Sequence, residues 1–490
     1  MASKRLMNVT TPPSALFLDN KWVQGGGGSR LTFKRAKDGS DIDLPPLNSA
    51  SAADIDTAVA NARRAFNGEW GAFTGEQRGV VLNKLADLIE QHTQEIAYFE
   101  SLCSGTPISF LKSTMPSVVS VFRYYADWTD KYKGDYFPPE DGFCKIVEHT
   151  SVGVCAGVTA WNGSLHFLAW KSAPALATGN TVILKPSEKS PLGTLSVANL
   201  ISKAGFPPGA FQIVAESVIG LVITRFIWAG DVGASLASHM DIDKISFTGS
   251  TGTVRKVQDA ATKSNLKRVT YELGGKSPAV VFEDADIERN LFWCTFGITG
   301  NSGQVCTATS RLFVQESIAE KFIEATLGAD PMSPETQYGP LVDKAQYERV
   351  RIYIDDAQKV LSPVVGGDTY SVDDYYVAPT IFLNPPSDAK IYREEIFGPV
   401  LCIKTFKTEE QAIALANDTN YGLAGSAYTQ DIERALRVSR AIRGGTVGIN
   451  CTSIASPQVP MGGFKLSGIG RGLGEYALRH YTEPKTIVIK

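Results

Sequence analysis

The sequence predicts an α/β protein with two doubly wound parallel-sheet domains. Three observations carry this expectation. From Val152 onward, short apolar runs alternate with longer stretches of helical periodicity. A parallel pair of strands needs a crossover, so repeated βαβ units of this kind give parallel sheets covered by helices on both faces. A second such series starts at Ala279-Val280-Val281-Phe282 and runs to about Gly448. The chain of 490 residues is also long enough for two or three cores.

In chain order, the first fifty residues read as short strands with turn signals, including Gly25 to Gly28. From Ala53 to Glu100 the apolar positions Ile55, Val59, Ala62 and Phe66, then Val80, Leu82, Leu85, Leu88 and Ile89, have helical spacing. Gly134 to Cys144, rich in Pro and acidic residues, leaves the main fold. Val152 to Trp161 is an apolar strand and Leu165 to Leu176 a helix. Thr181 to Leu184 is the next strand, and a helix begins after Pro191. Lys244 to Phe247 is a strand that turns at Thr248-Gly249-Ser250-Thr251 into a helix near Val254 to Thr262. No internal repeat is evident.

Composition narrows the function. The net charge of −3 and a pI near 6.1 give no electrostatic case for nucleic acid or an anionic membrane. Seven scattered cysteines without a CxxC pair argue against a disulfide framework or zinc site and for a reducing compartment. Five histidines without metal spacing argue against a metal centre. No signal peptide or membrane-length apolar run is present, so a cytoplasmic location is expected.

Chemistry is expected at Asn301-Ser302-Gly303-Gln304-Val305-Cys306, where the apolar stretch Leu291 to Ile298 leads into small residues and a thiol. Upstream, Tyr271-Glu272-Leu273-Gly274-Gly275-Lys276 offers a carboxylate on a Gly-rich turn. Brought together, a thiol and a carboxylate make a nucleophile and its general base. Phe247-Thr248-Gly249-Ser250 is a small-residue turn at a helix start, an arrangement suited to anions. The GxGxxG dinucleotide fingerprint is absent.

Taken together, the motifs resemble the aldehyde dehydrogenase superfamily. They are Trp161-Asn162, Lys171 with Ala173 to Asn180, Lys185-Pro186-Ser187-Glu188, Phe247 to Ser250, Glu272 to Lys276, Gly303 to Cys306, Glu395-Ile396-Phe397-Gly398-Pro399 and Gly462 to Gly468. The resemblance implies a cofactor domain (1–127 and 152–271), a catalytic domain (272–456) and a small β oligomerisation arm (128–151 and 475–490). It implies a homodimer or homotetramer acting on a small-molecule aldehyde. Cys306 would be the nucleophile, Glu272 the base, Asn162 an oxyanion donor and Lys171 part of a proton path. NAD, preferred over NADP because Glu188 would repel a 2′-phosphate, would be bound by Trp161, Lys185, Ser187, Glu188, Phe247, Gly249, Ser250, Leu273, Gly274, Glu395 and Phe397.

Several departures qualify the resemblance. Ala215 to Ala229, with its apolar run Val218 to Trp228, stands as an insertion beside the expected adenine site. If it spoils that site, the alternative is a catalytically impaired member with a structural or binding role. Val254 replaces a common Gly, and the chain is short after Thr326. Gly163 and Gly300 replace two aromatic walls of the substrate channel while Trp170 remains, which predicts room for bulky or aromatic aldehydes. His166 is expected to be a surface or packing residue.

Overall fold

The computed structural model describes residues 12–216, 230–327, 338–371 and 375–490. Most of the expected insertion (217–229) and the shortened stretch beyond Leu327 (328–337) lie outside the described residues.

Among the described residues the first sheet has eight strands. Its inner strands run parallel in the spatial order Phe211–Val214, Thr181–Lys185, Val154–Val158, Lys244–Thr248, Arg268–Glu272. Val154–Val158 comes first in the chain, so the winding reverses between it and Lys244–Thr248. Such a reversal opens a crevice beyond the carboxyl ends of the two strands, where ligands bind in open α/β sheets. Antiparallel strands close both edges, Leu16–Leu18 with Lys21–Val23 on one side and Gly468–Ile469 on the other.

The second sheet has, among the described residues, six parallel strands, in the order Thr380–Leu383, Val400–Phe406, Arg311–Gln315, Pro278–Val281, Ala424–Tyr428, Thr446–Ile449. A third, antiparallel sheet pairs Thr482–Ile489 with Cys144–Ser151, which in turn pairs with Asp135–Phe137. Tyr136, Phe137, Val488 and Ile489 are exposed there.

Local sequence explains the elements that hold the site. Val154–Val158 and Thr181–Lys185 are buried along their whole length, the pattern of parallel strands covered on both faces. The Ser164–Ala177 helix packs there with Leu168, Ala169 and Ala173 fully buried. Each fully buried Leu of this kind contributes about 1.5–3 kcal/mol. Ser250 caps the Thr251–Lys263 helix by accepting from Thr253 N at 3.2 Å. Val254 fits within that helix at 6% exposure, so the missing Gly creates no break.

Three details correct the sequence-level expectation. Glu272 is the last residue of the Arg268–Glu272 strand rather than part of a turn, and its position is fixed by pairing with Thr248. Trp161 leaves the strand for a 3₁₀ turn, Trp161–Gly163. A long helix, Ile108–Trp128, also occupies a stretch where none was expected. Leu111, Met115, Val118, Phe122 and Tyr125 give it a buried helical stripe, which Pro116 and the surrounding hydroxyl residues mask in the sequence.

Candidate active site

A pocket of about 160 Å³ lies at the crevice where the first sheet reverses. Trp161 and Asn162 reach it from the turn after Val154–Val158, and Gly249 and Ser250 from the turn after Lys244–Thr248. Glu272, Leu273 and Gly274 follow from the neighbouring strand end. The second unit contributes Cys306, Glu395 and Phe397 from the opposite side. Two stretches far apart in sequence, the thiol turn and the carboxylate strand end, therefore share one cavity.

The thiol turn is held in an unusual backbone conformation. Asn301, Ser302 and Gly303 have φ of 48°, 56° and 72°, the left-handed region. A non-Gly residue there costs about 1–3 kcal/mol, so neighbouring contacts must hold it. Thr106 Oγ1 donates to Asn301 Oδ1 at 3.0 Å and Ser302 Oγ to Gly339 O at 2.6 Å. Asn162 Nδ2 donates to Gln304 O at 3.0 Å, linking the turn to the first unit. A Cβ on Gly303 would stand 2.2 Å from Gly398 O, so glycine is required on two counts. Burial, with smaller contributions from Glu395 and Glu272, pushes the Cys306 thiol up to about 12. At neutral pH it is a thiol that needs a proton acceptor before it can attack.

Glu272 stands between two cavities. Its carboxyl lines the main pocket and a small cavity behind it, which Lys171, Ser246, His480 and Tyr481 also line. Burial raises its pKa above the ordinary carboxylate value, opposed by nearby Lys171 and a 3.2 Å hydrogen bond from Thr248 Oγ1. Gly472 makes room for it, because a Cβ there would lie 2.4 Å from Glu272 Oε1. Lys171 is buried, donates to Ser246 Oγ at 3.0 Å, and is lowered to about 8 by burial. It therefore lines the rear cavity and not the main pocket.

Glu395 and Phe397 form the far wall. Glu395 Oε1 accepts from Gly275 N at 3.0 Å, and a Cβ on Gly274 would lie 2.0 Å from Glu395 Oε2. Phe397 has φ of 63° and meets the Trp161 ring edge-on at 5.3 Å. Gln346 Nε2 secures that strained segment by donating to Phe397 O at 2.8 Å. Burial raises the Glu395 carboxyl to about 7, against opposing pulls from Gly275 N, Arg349 and Lys276.

This shift has a stability consequence. A carboxyl raised on folding contributes stability that is fully present below its unfolded value near 4.5 and lost as pH rises through about 7. Glu395→Gln is therefore expected to gain melting temperature relative to wild type between pH 5 and pH 8. A melting-temperature difference that stays constant over this range would contradict the assignment.

The other residues expected to bind a cofactor lie outside the main pocket. Lys185 is 1% exposed and stands 2.9 Å from Glu216 Oε1 and 3.9 Å from Glu188 Oε2. Ser187 accepts from Lys189 N at 3.3 Å, and Glu188 lines a separate surface groove. Phe247 is buried beneath Gly249, where a Cβ would meet its ring at 2.6 Å. Sequence reasoning missed Glu216, Gln346, Arg349, Phe167 and Phe296. Gln346 and Arg349 sit on the Lys344–Gln358 helix, where nothing in the local pattern separates them from ordinary surface residues.

Two aromatic rings stand beside the glycines expected to widen the channel. A Cβ on Gly163 would touch Phe167 at 3.4 Å, and one on Gly300 would touch Phe296 at 3.4 Å. Aromatic rings one helical turn away thus occupy part of the space that the two glycines open. His166 is a packing residue, 2.9 Å from Ser117 Oγ and edge-on to Trp170, and burial lowers it to about 4. Among the described residues no helix is long and apolar enough to cross a membrane.

Comparison with known proteins gives the same architecture a family. A model of the aldehyde dehydrogenase family matches residues 34–487. An aldehyde dehydrogenase of Emericella nidulans is 42% identical, over 97% of this chain and 95% of its own. Rabbit (Oryctolagus cuniculus) aldehyde dehydrogenase 1A1 is 41% identical, over 99% and 97%. Among solved structures, betaine aldehyde dehydrogenase from Staphylococcus aureus in complex with NAD⁺ superposes with a TM-score of 0.91 at 33% identity, covering 98% of this chain and 95% of that one. With the family model, the relatives and the fold in agreement, the chain belongs to the aldehyde dehydrogenase family, enzymes that oxidise aldehydes using NAD(P).

Proposed function

We propose that the protein oxidises aldehydes, bulky or aromatic ones included because Gly163 and Gly300 leave room that Phe167 and Phe296 fill only in part, to carboxylic acids through a thioester on Cys306, with NAD as the cofactor. The observation that carries this reading is the meeting of Cys306, Glu272, Asn162 and Glu395 in one pocket at the sheet reversal.

The thiol attacks the aldehyde carbonyl after losing its proton to Glu272, whose raised pKa makes it a better acceptor than an ordinary carboxylate. Attack gives a thiohemiacetal whose oxygen needs pre-oriented donors. An amide nitrogen carries two N–H groups, so Asn162 can serve Gln304 O and the oxyanion together, with the Cys306 backbone N–H as second donor. NAD, when bound, supplies the hydride acceptor. Glu272 sheds the thiol's proton along a route that Lys171 with Ser246 provides in the rear cavity, and, ionised again, deprotonates the water that hydrolyses the thioester on Cys306.

The residues fit a dinucleotide. Gly249 and Gly274 keep side chains out of the crevice, and a Cβ at Gly274 would collide with the Glu395 carboxyl. Ser250 lies where the Thr251–Lys263 helix starts, a position favourable to a pyrophosphate. Glu395 and Phe397 suit the nicotinamide ribose and ring, Trp161 and Leu273 the walls, and Lys185, Ser187 and Glu188 the adenosine ribose, with Phe247 supporting the turn.

The exposed apolar residues of the Asp135–Phe137 and Thr482–Ile489 strands favour a homodimer or homotetramer. Cys103, Cys144, Cys155, Cys294, Cys306, Cys402 and Cys451 are all unpaired, consistent with the cytoplasm. The Lys185–Glu216 ion pair favours one alternative, a family member with impaired cofactor binding.

NADH formation with a panel of acetaldehyde, long-chain and aryl aldehydes tests the substrate reading. Turnover of the aryl members as well as acetaldehyde is expected, whereas turnover of acetaldehyde with none of the aryl members would overturn it.

A further inference from the structure

We propose that Glu100 is a positioning residue for the oxidation, holding Ser164 and thereby the turn that aims the Asn162 amide at the oxyanion. The proposal rests on the reading of Asn162 as an oxyanion donor and concerns a carboxyl that no motif supplies.

Asn162 sits in the Trp161–Gly163 turn, and the helix that follows, Ser164–Ala177, starts at Gly163 without a side-chain cap. A glycine at that junction leaves the backbone free to swing unless neighbours restrain it. Two residues after Asn162, the fully buried Ser164 donates its hydroxyl to Glu100 Oε1 at 2.5 Å. Glu100 is itself buried, on the helix Thr93–Ser104. Ser190 Oγ adds a second restraint by donating to Trp161 O at 3.0 Å. The same helix also braces the thiol turn. Ser101 Oγ donates to Thr106 O at 2.7 Å, Thr106 Oγ1 to Asn301 Oδ1 at 3.0 Å, and Asn301 Nδ2 to Asn162 O at 3.4 Å. One helix therefore fixes the oxyanion donor and the nucleophile's turn relative to each other.

Core packing alone does not account for a carboxyl here. Glu100 Oε2 has no hydrogen-bond partner among the described residues, a cost that a leucine of similar size would avoid. Gly193 leaves the space for it, because a Cβ there would lie 2.3 Å from Oε2. Burial pushes the Glu100 carboxyl up to about 8, so near neutral pH it is mostly protonated and serves Ser164 as a neutral acceptor. Oxyanion stabilisation depends on donors already aimed at the position the charge will take. A small swing of Asn162 is therefore felt in the rate rather than in cofactor binding.

The test is the single-turnover rate constant of NADH formation, with NAD saturating and enzyme saturating and in excess over an aldehyde. It is measured for wild type, Ser164→Ala, Glu100→Leu, Glu100→Gln, Asn162→Ala and the double variant Asn162→Ala/Ser164→Ala. This rate constant does not depend on the fraction of correctly folded protein, so partial misfolding does not mimic the effect. Ser164→Ala and Glu100→Leu should each slow it at least about fivefold, but by no more than the about 10²–10³ expected for losing the whole donor. Glu100→Gln, which keeps the acceptor for Ser164, should stay within about threefold of wild type, and NAD affinity should change less than about threefold in Ser164→Ala. In the Asn162→Ala background, Ser164→Ala should slow the reaction no further, because it acts through Asn162. Equal slowing by Ser164→Ala in both backgrounds, or a Ser164→Ala rate within about twofold of wild type, overturns the proposal. If Asn162→Ala itself keeps the wild-type rate, the oxyanion reading fails and this proposal fails with it.

Discussion

Replacing Cys306 by alanine is expected to lower NADH formation by at least about 10⁴-fold with every aldehyde, because no other thiol among the described residues lines the pocket. The loss should be chemical rather than structural. Cys306 is half-buried and packs at the margin of the first core. Removing one sulfur there costs on the order of 1 kcal/mol, a small change in melting temperature. NAD affinity should stay within a few-fold of wild type. Retention of more than a few per cent of the activity would exclude Cys306 as the nucleophile.

Glu272→Gln is expected to reduce kcat by about 10²–10⁴, with a distinctive time course. Without Glu272 the thiol must give its proton to solvent, so acylation slows but still proceeds, while the hydrolytic water is no longer activated. NADH should appear as a slowed burst of up to one equivalent per site, followed by a still slower phase. The pH profile supplies a second readout. Glu272 must be ionised to accept a proton, and its pKa is raised, so activity should climb with pH along an acidic limb displaced upward from the usual carboxylate range. That limb should be absent from the slow phase of the glutamine variant. An unchanged limb would assign it to another group.

Much of this was legible in the sequence for identifiable reasons. Strands such as Val154–Val158 and Pro278–Val281 are continuous apolar runs between turn residues, the pattern of strands covered on both faces. The thiol turn announced itself through small residues because Gly303 has no space for a side chain. Other features were hidden because they depend on tertiary contact. The role of Gln346 in holding the strained Phe397 follows only once their two segments pack together. Phe167 lines the pocket and Phe296 packs beside Gly300, each from one turn away along the chain, which a position-by-position count of missing aromatics overlooks. The Lys185–Glu216 pair escaped because Glu216 lies at the start of a stretch that matches no motif, and its burial beside Lys185 comes from the fold.

The most direct test of the central claim is the intact mass of the Glu272→Gln variant, quenched in acid after incubation with NAD and a benzaldehyde. A thioester adds the aldehyde's mass less two hydrogens, and peptide mapping locates it. The expected result is one such adduct per chain, on Cys306, formed only when NAD is present. An adduct on another cysteine such as Cys451, or NADH production with no adduct at all, would contradict catalysis through a Cys306 thioester.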